Sequence, residues 1–177
     1  MSLNNTSTQY GSVAKFFHWL IFVFVLLQFF IGYFMEDIST NKILVGVIVN
    51  FHKLLGLTIL ALMVLRAVWA WKNPKPSLLN VSHWQRWAEH TVHGLLYLLL
   101  IAMPLSGWIG SVAGGRPPRY GTMPLNLPIE KNKELAGSAF DVHGSLAIII
   151  LVVVSIHLLA ALYHHFIKKD DILRRML

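Results

Sequence analysis

Residues 142–167 read VHGSLAIIILVVVSIHLLAALYHHFI, twenty-six positions without one Asp, Glu, Lys or Arg. An apolar run longer than about 18 residues reads as a membrane-spanning helix. Its two inner histidines, His143 and His157, are fourteen residues apart. At about 100° per residue that spacing returns nearly to the same helix face, and the rise is about 21 Å, most of the hydrocarbon thickness of a bilayer. One helix thus presents two imidazoles in the same direction, one toward each membrane surface. Ionisable groups at that depth are costly and mark function. Haem iron takes axial histidines, and two stacked haems need this layout.

Three further runs match it: Phe16–Met35, a stretch within 43–71, and roughly 88–112. Only helices and closed barrels satisfy the backbone in lipid, and none of the runs alternates with period two. The expected fold is an all-α, four-helix membrane bundle, with helices at about 14–35, 44–71, 85–112 and 142–168. Pro104 lies inside the third run and removes one backbone donor there. Short connections at 36–42 and 72–86 contrast with a Gly- and Pro-rich segment, 113–141, long enough to cap one end. The polar N-terminal stretch is followed by no small-residue cleavage site, so the first run is expected to be a retained helix.

With 55% apolar residues and a mean hydropathy of +0.58, the 177-residue chain is unlike a water-soluble domain. Cysteine is absent, which excludes disulfides, thiolate-held iron–sulfur clusters, zinc ribbons and covalently attached haem. The net charge of +7 lies at the ends of the runs and not in a basic stripe interleaved with aromatics, so no nucleic-acid partner is expected. Placing both termini inside puts nine of the fifteen Lys and Arg residues on the cytoplasmic side and six outside, the favoured orientation. Trp19, Trp69, Trp71, Trp84 and Trp87 then form an aromatic belt at the inner boundary.

Depth sorts the histidines. His52 and His143 lie toward the outer surface and would hold one haem. His157 lies toward the inner surface, where His18, His90 and His93 all compete to be its partner. A flat macrocycle also needs a small neighbour one turn from each ligand. Gly56, Ala147 and Ala161 supply it at i+4 from His52, His143 and His157; His90 has Gly94, whereas His18 has Phe22. The competing reading is that these are interhelical hydrogen-bonding histidines. Zinc or copper would want three or four clustered ligands, and the histidines instead divide into two levels.

Other residues stand out by position. Arg66, fourteen residues after His52, would sit near the inner haem, in reach of a propionate or a quinone. His164, two turns beyond His157, could deliver protons to a quinone being reduced. Lys53, Arg116 and Arg119 make the outer end basic enough to steer a small anion.

Several stretches resemble the bacterial cytochrome b561 family: FFHWLIF around His18, NFHKLLGLTILALMVLRAVW around His52 and Arg66, HTVHGLLYLLLIAMPLSG, YGTMPLN, DVHGSLA around His143, and IHLLAALYHHFIKKDDILRRM to the end. They occur in order along nearly the whole chain, so residues 1–177 are expected to form a single domain. The resemblance implies two haem b groups with bis-histidine ligation, His52 with His143 and His18 with His157. It implies a bacterial inner-membrane electron carrier that passes electrons from a donor at the outer face, superoxide foremost, to ubiquinone. The alternative is a haem-bearing anchor subunit serving a partner hydrogenase or dehydrogenase. Lipid, a quinone and a small anionic or protein donor are the expected partners.

Overall fold

The computed structural model describes residues 2–35, 37, 39–76 and 82–177; positions 36, 38 and 77–81, within the two short connections, lie outside the described residues. Four long helices form: α1 Ser12–Phe34, α2 Lys42–Lys72, α3 His83–Ala113 and α4 Lys133–Tyr163. All four are long and apolar enough to cross a membrane. The molecule is a four-helix membrane bundle. Successive helices run in opposite directions, so both termini and the α2–α3 connection share one end. The α1–α2 connection and the segment between α3 and α4 share the other, called here the loop end.

Side-chain oxygens start three of the helices. Asn41 accepts from the Ile43 and Leu44 amides, Ser82 and Gln85 form a reciprocal capping box, and Asn132 accepts from the Leu135 amide. Asn132 accounts for the largest difference from expectation. α4 begins at Lys133, nine residues before the apolar run, and the expected loop 113–141 shrinks to 114–132. Its first turns carry charge yet pack through small residues. Ala136 and Ala139 are buried, and the Phe140 ring lies 3.2 Å from where a Cβ on Gly110 would stand. At the other end α4 gives way to one π-turn, His164–Lys168, closed by Lys169 in the left-handed region.

The helices pack in sequence, α1 on α2, α2 on α3 and α3 on α4. Among the described residues neither α1 nor α2 lies extensively against the α4 backbone. Two apolar clusters close the middle of the bundle. Ile21, Val25, Ile59 and Met63 join α1 to α2, while Leu99, Ile150 and Val153 join α3 to α4. Exposed Ile148, Val152 and Ile156 on α4, like Val64 and Val68 on α2, are the lipid-facing complement. Trp71, Trp84 and Trp87 are exposed at the terminal end, whereas the Trp19 indole N–H donates to the Met176 carbonyl at 2.7 Å and ties the tail to α1.

A two-stranded hairpin, β1 Arg119–Tyr120 and β2 Met123–Pro124, lies in the long connection. The Asn50 side chain clamps it, donating to the Arg119 carbonyl and accepting from the Arg119 amide, both at 2.8 Å. Lys53 Nζ donates to the Arg116 carbonyl at 2.8 Å, and the Trp108 indole donates to the Leu125 carbonyl at 2.9 Å. The connection is thereby fastened to α2 and α3 as a cap.

Candidate functional site

Where α4 stands off from α1 and α2, imidazoles face one another at two levels. At the loop end His52 of α2 and His143 of α4 have ring centroids 6.3 Å apart, and at the terminal end His18 of α1 and His157 of α4 are also 6.3 Å apart. A metal between two imidazoles, with bonds of about 2 Å and rings about 1 Å in radius, separates the centroids by about 6 Å. Both pairs match that separation.

The loop-end pair is held by chemistry on α3. The Met103 carbonyl can only accept, so His143 Nδ1 carries a proton and donates to it at 3.0 Å, leaving Nε2 free of hydrogen. Ser106 Oγ donates to the same carbonyl at 2.8 Å and lies 3.2 Å from His143 Nδ1. Two glycines make room for the rings. A Cβ on Gly107 would come within 2.8 Å of His143 Cε1, and one on Gly32 within 3.1 Å of His52 Cε1. His52 Nδ1 is buried and has no protein partner among the described residues. Gln28, a lone amide in the α1 apolar run, donates to the His52 carbonyl at 3.0 Å.

Gly56, one turn from His52, stands at a close helix contact. A Cβ there would lie 3.2 Å from Gln28 Nε2 and 3.9 Å from Pro104 Cβ, so this glycine serves close packing with α1 and α3. The small residues that accommodate the rings, Gly32 and Gly107, stand on helices other than those of the histidines they touch. An i+4 search could not find them.

At the terminal end the three competitors separate. His90 is exposed, and its Nδ1–H is turned back to the Arg86 carbonyl at 2.7 Å. His93 lies against His157 with centroids 5.2 Å apart, while its Nδ1 donates to the Glu89 carbonyl at 2.9 Å and lies 3.1 Å from the Glu89 carboxylate. That approach is about 1 Å shorter than the two 6.3 Å separations. His18 has the wider spacing and meets Arg66, whose Nη2 is 3.2 Å from His18 Nδ1. The Arg66 guanidinium also lies over the Tyr97 ring, 5.5 Å from its centroid.

The remaining sequence candidates fall into place around the two levels. His164 pairs through Nδ1 with Asp170, a carboxylate that the sequence reading passed over because the turn bringing it back was not visible. The Asp170 carboxylate also accepts from the Ile172 amide at 3.1 Å. Lys53, Arg116 and Arg119 gather at the loop end, Lys53 through its contact with the Arg116 backbone. The Arg119 guanidinium reaches the Thr122 carbonyl at 3.2 Å. Among the described residues no three His, Cys, Asp or Glu side chains cluster as a conventional metal site.

Residues 9–177 match the family model described as prokaryotic cytochrome b561. The chain belongs to the cytochrome b561 family. It is 34% identical to cytochrome b561 homolog 2 of Escherichia coli (strain K12), over all of this chain and 95% of the relative. Identity to cytochrome b561 homolog 1 of the same organism is 26%, covering 96% of this chain and 97% of the relative. A protein named "Probable superoxide oxidase CybB" of Yersinia pestis is 32% identical over 71% of this chain and 72% of its own length. Cytochrome b561 proteins are bacterial membrane electron carriers that bind b-type haem. The residues here fit that group. Facing imidazoles, an unpartnered buried His52 nitrogen and glycine gaps beside the rings are what a histidine-ligated macrocycle requires.

Proposed function

We propose that this cytochrome b561 carries electrons across the bacterial inner membrane by holding two b-type haems, one between His52 and His143 and one between His18 and His157. The observation that carries the reading is the pair of 6.3 Å imidazole separations at two levels of one bundle. When bound, haem supplies a one-electron iron couple. The chain supplies the rest: ligands, a dry interior and charges at each end. The nine-to-six distribution of Lys and Arg supports cytoplasmic termini, so the loop end faces outward.

At the outer end Lys53, Arg116 and Arg119 raise the local concentration of a small anion, and superoxide is the donor that suits this field. Each superoxide gives up one electron and leaves as dioxygen. At the inner end ubiquinone takes up two electrons and two protons. His164 is placed to hand over a proton there, and Asp170 fixes its tautomer through Nδ1. Activity as a superoxide:ubiquinone oxidoreductase follows from these two ends together.

Haem content per chain, measured in single His→Ala variants, tests the ligand assignment. His52→Ala and His143→Ala each lose one and the same spectral component; His18→Ala and His157→Ala lose the other. A wild-type sample with one haem, or a His18→Ala variant that keeps two, refutes it.

A further inference from the structure

The two histidine levels are electrostatically unlike. At the terminal end the Arg66 guanidinium stands 3.2 Å from His18 Nδ1, half-buried and held over Tyr97. Among the described residues Arg66 has no carboxylate partner within ion-pair distance. Of the acids at that end, Glu89 is engaged by His90 and His93, Asp170 by His164 and Asp171 by Arg174. At the loop end the contact is of the opposite kind, since His143 donates its Nδ1 proton to the Met103 carbonyl. The loop end carries cations too, Lys53, Arg116 and Arg119, but the Lys53 ammonium is drawn to the Arg116 carbonyl and the Arg119 guanidinium to the Thr122 carbonyl, and among the described residues neither is hydrogen-bonded to an imidazole.

We infer that Arg66 is a positioning residue for the electron: its fixed charge beside His18 sets the terminal-end haem at a higher potential than the loop-end haem. The inference rests on the ligand assignment proposed above and adds the direction of flow to it.

The physical reason is a balance of charge. A guanidinium stays protonated and only donates. Across the 3.2 Å it donates to His18 Nδ1, which puts the proton of the neutral ring on Nε2. Ligation through Nε2 would move that proton to Nδ1 and end the hydrogen bond, leaving charge between the two groups, in surroundings that screen it poorly. A nearby positive charge favours the state with one electron more. At the loop end the carbonyl acceptor does the reverse, because it makes the His143 ring more basic and favours the oxidised state. The electron therefore comes to rest at the end that carries His164 and Asp170.

The test is a spectroscopic redox titration of the full-length protein in detergent, for wild type, Arg66→Met, Arg66→Gln and Arg66→Lys. Wild type should titrate in two steps. Both neutral variants should lower the upper step and leave the lower one in place, and Arg66→Lys should restore most of the upper potential. His143→Ala should remove the lower step, which assigns the steps to the two levels. Unchanged midpoints, an upward shift, or movement of the lower step would overturn the inference. So would failure of both neutral variants to load haem while Arg66→Lys loads, because the role of Arg66 is then structural. If His143→Ala instead keeps both haems or loses both, the pairing of the histidines fails, and not the role of Arg66.

Discussion

Gly107→Ala is the smallest change that should empty one site and spare the other. The added Cβ would stand 2.8 Å from His143 Cε1 and 3.0 Å from Nδ1, about 0.6 Å inside ordinary van der Waals contact. The ring cannot simply move aside. Its Nδ1–H is anchored to the Met103 carbonyl, and Met103 lies one turn from Gly107 on the same helix. Forcing a methyl into a packed site costs about 1–3 kcal/mol, which converts to affinity about 5- to 150-fold weaker for whatever His143 ligates. The helix itself does not suffer, because alanine is favoured over glycine in a helix interior by about 1 kcal/mol. Gly46→Ala is the control, since a Cβ there meets nothing within 4 Å. Haem per chain and the reduced-minus-oxidised spectrum of each purified variant are the readouts. The expected result is loss or weakened retention of the same component that His52→Ala removes, with the other intact. Gly107→Ala that retains both components at wild-type affinity would falsify the close fit around His143.

Three further outcomes are expected. His90→Ala and His93→Ala should keep full haem content, since His90 is exposed and His93 lies about 1 Å closer to His157 than His18 does; loss of a component in His93→Ala would move the ligand from α1 to α3. Replacing Lys53, Arg116 and Arg119 together by Gln should slow reduction by superoxide about tenfold at low ionic strength and flatten its salt dependence, measured by stopped flow, with reduction by dithionite unchanged. Asp170→Asn should lower ubiquinone reduction about tenfold at neutral pH while leaving haem content and chemical reduction untouched, because His164 loses the partner that orients it; an unaltered quinone rate would remove His164 and Asp170 from the pathway.

What the sequence determined by itself is the membrane bundle and the two depths. Both follow from one-dimensional quantities: the length of an apolar run against the thickness of a bilayer, and fourteen residues against the pitch of a helix. The family resemblance could be read the same way, because its stretches keep their order along the chain. Helix ends were less legible. The start of α4 is set by Asn132 and by Phe140 and Ala136 packing on Gly110 and Gly114, in a stretch too charged to count as a span.

Only the tertiary structure decided which side chains stand beside each imidazole. Sequence spacing left His18, His90 and His93 level, because all three lie at a similar depth. The folded chain turns His90 outward and brings Arg66 to His18. Gly32, Gly107, Met103 and Asp170 were invisible for the same reason. Each meets its histidine across a helix–helix gap or a reversed turn, and such neighbours are fixed by helix rotation and packing, which no periodicity along one segment encodes.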